Sequence, residues 1–222
     1  MRSRYLVPGN LLLAGEYAVT ETGGLGIAVG VARYVEMVFT EGNTFSLTGL
    51  FGRDDRTVVG ARDIPGEDLV ARAAAYAAEA LGTPVSRLRG SATIDSRRFY
   101  DDEGRKLGLG SSAAVTVAVC AAVAAAAGMR GKNASNAVYR TALDAHRAVQ
   151  NGRGSGYDVL ASLYGGVGLV TGGDTPTRQP LGSVPLERIA VLRGSRPVKT
   201  TGALDRYESW RSADWSKHAS FL

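Results

Sequence analysis

From Lys106 to Ala114 the chain reads KLGLGSSAA and then runs into VTVAVCAAVAAAA, a stretch with almost nothing polar in it. Gly108 and Gly110 let the backbone approach a ligand closely, and Ser111 and Ser112 stand where an alanine-rich helix must begin. The first turn of a helix leaves amide N–H groups without partners and carries the positive end of the helix dipole, so such a junction suits a phosphate. Lys106 adds a mobile positive charge just upstream, and the serine hydroxyls can bond phosphate oxygens or, at Ser112, join a magnesium shell. On the string alone, a serine cap on a buried helix is an equal reading. A P-loop is excluded, because the one Gly-Lys pair, Gly131-Lys132, is followed by Asn133. Gly108, Gly110 and Ala113 also spell G-x-G-x-x-A, but the preceding FYDDEGRK is no buried strand and no acidic residue ends a strand about twenty positions later.

The elements that must position this junction follow from periodicity. The first forty residues read as strand, turn and long strand (YLVPG, LLLAGEYAVT, GIAVGVARYVEMVFT), with a hairpin around Gly42 and Asn43 leading into TFSLTGLFG. A helix is predicted from Glu67 to Leu81, closed by Gly82 and Pro84, followed by a strand at RLRGSATIDS. The junction helix runs to about Ala127, and a second helix spans Ser135 to Gln150 with Ser135 as N-cap. NGRGSG breaks it, and a short helix at YDVLASLYG precedes strands at GVGLV and ERIAVL and a last helix from Gly202 onward. Strands first and helices after give an α+β class with a mostly antiparallel sheet backed by helices.

Bulk properties narrow the function. The 222 residues are 45% hydrophobic, which suits a packed core, and the net charge of +5 comes from scattered basic residues rather than a run. That favours anionic small molecules over nucleic acid, for which no basic-aromatic platform or zinc-finger pattern exists. Cys120 is the one cysteine, so no disulfide or cysteine metal site forms within the chain, in keeping with the reducing cytoplasm. Pro8, Gly9 and Asn10 interrupt the N-terminal apolar run and spoil a signal peptide. The alanine-rich segment approaches membrane-spanning length, yet alanine and glycine make a weak lipid anchor, so a buried helix and no membrane contact are expected.

Three motifs, in order, carry a family resemblance: VPGNLLLAGEYAV, the GLGSSAA junction, and GRGSGYDVLASLYGG. Together they resemble the GHMP kinase superfamily. Glu16-Tyr17, Lys106, Ser155-Gly156-Tyr157-Asp158 and the later RGSRPVKTTGALDRY are similar to its phosphomevalonate kinase branch. The resemblance implies a ribosomal protein S5 domain 2-like fold over residues 1–187 and the start of a second domain over 188–222. It implies ATP over Gly108, Leu109, Gly110, Ser111, Ser112 and Ala113, with Mg2+ as cofactor. Asp158 would orient the acceptor, Lys106 would bind the travelling phosphoryl group, and Asn10, Glu16, Tyr17, Ser155 and Gly156 would line the acceptor site. Phosphomevalonate would become diphosphomevalonate, in isoprenoid biosynthesis.

Two departures keep other readings open. The family motif normally has lysine where this chain has Asn10, and members continue into a full second domain with a glycine-rich third motif. A catalytically impaired nucleotide-binding or assembly module, and a kinase for mevalonate, a sugar or an amino acid, therefore stand beside the leading reading. A second copy or a partner chain would complete the missing wall. His146 is expected as a satisfied, half-buried side chain, His218 in a polar tail, Asp101, Asp102 and Glu103 as a solvated turn, and the aromatics of WRSADWSKHASFL as core or interface.

Overall fold

The computed structural model describes residues 2–52, 54–58, 69–150, 152, 154–182, 184, 188–192, 194, 200–213 and 215–221. Among them a seven-stranded sheet, antiparallel but for one pair, is covered by helices, the expected α+β class. Its spine is β2 (Leu25–Thr40), where Val35, Met37 and Phe39 are buried in alternation with less buried Tyr34, Glu36 and Val38. Along one edge β2 pairs with β1 (Arg2–Ala14), and along the other with β6 (Val167–Thr171) at its start and β5 (Gly90–Asp95) at its end. Pro8 does not end β1, because the register shifts between Pro8 and Gly9, and such an irregularity is where a strand tolerates proline.

The expected hairpin at Gly42 and Asn43 does not form. β3 (Phe45–Phe51) pairs with β4 (Asp54–Val58) and lies parallel to β5, which is threaded between β3 and β2. The connection from β3 and β4 to β5 passes through α1 (Leu69–Ala80), and a helical crossover is what allows parallel strands. Threading gives β5 a partner on both sides and buries Ala92 and Ile94 with Leu47 and Phe39. The predicted residues Glu67 and Asp68 of the first helix lie outside the described residues.

Helix α2 (Ser111–Ala126) is buried on nearly every side, from Ala113 to Ala126, as its composition requires. Small side chains let α1 and α3 (Gly131–Val149) pack closely against it, and the Cys120 thiol at its centre is pushed up to about 12 by burial. α3 starts four residues before Ser135, with Arg130 at the N-cap, so Ser135 lies inside the helix. Gly128 ends α2 with positive φ and the chain re-enters a helix almost at once, leaving no room for a later cap.

Helix α4 (Tyr157–Tyr164) leads into β6 and then β7 (Thr177–Pro180), an edge strand that composition did not announce. The ERIAVL strand is not formed: Ile189, Val191 and Leu192 are exposed and pair with no described strand, and Glu187, at the expected domain boundary, lies outside the described residues. Helices α5 (Thr200–Ala213) and α6 (Trp215–Phe221) close the chain. His218 is fully buried rather than in a polar tail, packed among Tyr207, Trp210 and Trp215. No helix among the described residues is long and apolar enough to cross a membrane.

Candidate phosphoryl-transfer site

The junction that opened the sequence is a loop feeding a helix. Gly110 sits at the N-cap of α2 with φ 70°, and no side chain caps the helix. The first helical bond runs from the Ala114 N–H to the Gly110 carbonyl, 3.2 Å, so the amides of Ser111, Ser112 and Ala113 precede the ladder. A Cβ on Gly108 would meet nothing within 4 Å, whereas one on Gly110 would come within 2.1 Å of the Asn10 side chain. Open space lies over the first glycine and a packed wall behind the second. Three uncapped amides facing an open approach fit a polyphosphate, and the half-buried Ser111 and Ser112 leave hydroxyls at the same place. Mg2+ keeps several waters and draws most of its other ligands from carboxylates and substrate phosphates, so Ser112 would supply at most one ligand and the phosphates and water the rest. Lys106 is exposed in the preceding loop, which Asp101 shapes by accepting bonds from the Arg105 and Glu103 amides and pairing with the Arg105 guanidinium at 2.9 Å.

Asn10 ties this loop to the rest. It is 3% exposed; its side-chain amide donates to the Gly110 carbonyl (3.2 Å) and to Ser162 Oγ (2.9 Å), and its main-chain N–H donates to the Leu109 carbonyl (3.0 Å). One buried amide thus joins β1, the loop and α4. Asp158 lies in the first turn of α4, behind the left-handed N-cap Gly156. Its Oδ1 accepts the Val159 N–H at 2.9 Å and its Oδ2 lies 3.4 Å from His146 Nδ1, with one fifth of the side chain exposed. A carboxylate held at one oxygen by its own helix and approached at the other by an imidazole has a fixed aim.

Glu16 is exposed and Tyr17 half-buried, just past β1. Burial, and after it the charges of Asp158 and Glu16, pushes the Tyr157 hydroxyl well above its ordinary range. Ser155 is buried and, with Thr20, Thr22, Arg147, Tyr207 and Arg211 among others, lines a polar cavity of about 260 Å³. Arg147 spends its guanidinium on the carbonyls of Gly154, Gly173 and Asp174 and so holds the loop before Asp158.

Residues 68–166 match the model of the GHMP kinases N terminal domain, a span that contains both the glycine loop and Asp158. The chain carries a GHMP kinase N-terminal domain. It is 35% identical to the phosphomevalonate kinase of Streptomyces sp. (strain CL190), an alignment covering 72% of this chain and 46% of that protein, so it spans less than half the relative's length. A Lin0012 protein from Listeria innocua superposes with a TM-score of 0.77 at 22% identity, covering 100% of this chain and 68% of the other. Streptococcus pneumoniae phosphomevalonate kinase, solved in complex with phosphomevalonate and AMPPNP, gives 0.60 at 22% identity, covering 78% and 50%. Both structures speak for the fold.

Sequence reasoning missed three contributors to the site. His146 is 3% exposed rather than half-buried, and it follows Val138 and Ala142 at four-residue steps on the buried face of α3, a spacing that could have revealed it. Ser162 and the Glu21, Tyr207 and Arg211 group carry no local signal, because their partners lie 152 to 190 residues away.

Proposed function

We propose that the protein is an ATP-dependent small-molecule kinase acting on phosphomevalonate. The triphosphate lies over Gly108 to Ala113, and its γ-phosphoryl group passes to the terminal phosphate of the acceptor. An acceptor phosphate oxygen forms the new bond to phosphorus, the bond to the β-bridging oxygen breaks, and ADP leaves with that electron pair. Such a transfer has a loose transition state, so alignment and charge neutralisation supply most of the rate. Ser112 would help hold Mg2+, which would supply charge neutralisation of the phosphates. The acceptor oxygen is already ionised at neutral pH, so Asp158 orients and balances charge more than it abstracts a proton. Lys106 reaches the travelling group from the loop, and Glu16, Tyr17 and Ser155 stand on the acceptor side.

The observation that carries this reading is the Asn10 tie between an uncapped helix N-terminus and the helix that bears Asp158. The 35% identity to a phosphomevalonate kinase supports the acceptor. We place the protein in the cytoplasm, where ATP is held and a free thiol such as Cys120 stays reduced.

A second reading has its own support: both Asn10 amide bonds go to the protein itself, so this position brings no charge to an acceptor. A nucleotide-binding module without turnover would look the same at the loop. ADP release measured with phosphomevalonate, mevalonate, a sugar and an amino acid separates the readings. Release that needs phosphomevalonate and falls at least about 100-fold in Asp158→Asn is expected. ATP binding with no acceptor-dependent ADP selects the module instead, and undiminished turnover in Asp158→Asn removes the role given to that carboxylate.

A further inference from the structure

Tyr17 is the one non-glycine residue with positive φ among the described residues, at φ 65° and ψ −37°. Side chains with a Cβ rarely adopt this conformation, and it persists where surroundings impose it. On one side the Tyr17 carbonyl accepts both the Thr20 N–H (2.9 Å) and the Thr20 hydroxyl (2.5 Å), which closes a tight turn. On the other the Tyr17 ring stacks on Tyr207 of α5, with centroids 4.7 Å apart and planes 15° from parallel.

Tyr207 is itself pinned. It is 6% exposed, its hydroxyl donates to Glu21 Oε1 at 3.0 Å, and the His218 Nε2 lies 2.8 Å from the Tyr207 hydroxyl oxygen. Arg211, one turn further along α5, bonds that Glu21 oxygen at 2.7 Å. Helix α5 therefore grips the segment after β1 at two points, the ring of Tyr17 and the carboxylate of Glu21. Between and beside those points, Thr20 and Thr22 share a cavity wall with Ser155 and Tyr207. The glycine loop is held separately, by Asn10, whose side chain bonds the Gly110 carbonyl and Ser162 on α4.

We propose that Tyr207 is a positioning residue for the acceptor side of the transfer site, holding Tyr17 in its left-handed conformation through the ring stack. This rests on the kinase reading above. The two halves of the site are fastened by different side chains, so loosening Tyr207 disturbs the acceptor and spares the nucleotide. The hydroxyl is secondary, since a flat ring is what the stack needs.

Steady-state kinetics with phosphomevalonate and ATP, together with crystal structures of the ligand-free variants, test this. Tyr207→Phe keeps the stack and should leave both KM values within twofold of wild type. Tyr207→Leu keeps apolar bulk without a flat ring and should raise the phosphomevalonate KM at least tenfold, with the ATP KM and kcat within twofold. In its crystal structure Tyr17 should move to negative φ. Equal shifts in both KM values, an unchanged phosphomevalonate KM, or Tyr17 still near 65° in Tyr207→Leu overturns the proposal. The crystallographic comparison needs no turnover, so absence of transfer by the wild-type protein sinks the kinase reading, while an unmoved Tyr17 sinks this one.

Discussion

The start of α2 and the contact between α5 and residues 17–21 are both junctions at the candidate site, but they are made of opposite materials. At α2 the working groups are main-chain amides, exposed by glycines and an uncapped helix end, and the side chains nearby are serine and alanine. At α5 the work is done by two stacked tyrosines, a buried histidine and a Glu21–Arg211 ion pair, with ordinary helical backbone beneath. A site written in the main chain depends on which residues are small enough to stay out of the way. One written in side chains depends on which large residues meet.

That contrast predicts unequal sensitivities. The largest effect should come from Gly110→Ala, which puts a Cβ within 2.1 to 2.5 Å of the buried Asn10 amide at a φ of 70°. The left-handed conformation alone costs about 1–2 kcal/mol, and the clash adds to it, so ATP affinity should fall at least about tenfold and the melting temperature with it. Gly108→Ala, at similar φ but with nothing within 4 Å, is the control; calorimetric titration with ATP and thermal melts should rank the first variant well below the second. Equal damage from the two would mean that packing behind the loop is irrelevant.

Asn10→Leu comes next. It strips the Gly110 carbonyl and Ser162 hydroxyl of a buried donor, and an unsatisfied buried group costs about 1–3 kcal/mol. At about 2–4 °C per kcal/mol for a chain of this size, a loss of several degrees in the melting temperature is expected. A melt unchanged within a degree would deny Asn10 its role as the tie.

Glu21→Gln should do least. The ion pair it weakens has an Arg211 side chain 38% exposed, and such pairs contribute about 0–1 kcal/mol. Its sharper reading is spectroscopic. Burial, and after it the Glu21 bond and charge, pushes the Tyr207 phenol up to about 12, against about 10 in an unfolded chain. The neutral phenol is thus favoured by folding: its contribution is complete below pH of about 10 and is lost as pH rises toward 12. In Glu21→Gln the ionisation of Tyr207, followed by absorbance at 295 nm with Tyr207→Phe as the blank, should move down toward the ordinary tyrosine range; no movement would separate Glu21 from Tyr207.

The same contrast explains what could be read from the sequence. The α2 junction was legible because its information is local: Gly108, Gly110, Ser111 and the alanine run are contiguous, and backbone physics converts them directly into an anion-binding end. The strands around Val35, Met37 and Phe39 were legible for the same reason, since alternation is a neighbour property. Strand order was not, because Gly42 and Asn43 permit a hairpin and only the competition of β5 for the edge of β2 decides against one. Nor was the pairing of His146 with Asp158, or of Tyr17 with Tyr207, since no local rule connects residues on separate elements. ERIAVL misled because apolar alternation describes a strand that has a partner, and Ile189, Val191 and Leu192 have none among the described strands.

The knot that Asn10 ties has a dynamic meaning as well. A phosphate loop hanging free would have to be ordered each time nucleotide arrived, and that ordering would weaken binding. Here Leu109 and Gly110 are fastened to the central sheet and to the fourth helix by the protein's own hydrogen bonds, so the loop cannot swing as a hinged flap without dragging a strand along. On the proposed kinase reading, entry and exit of the triphosphate would then be governed by what covers the loop from the solvent side, and the timing of turnover by that covering rather than by the glycines themselves.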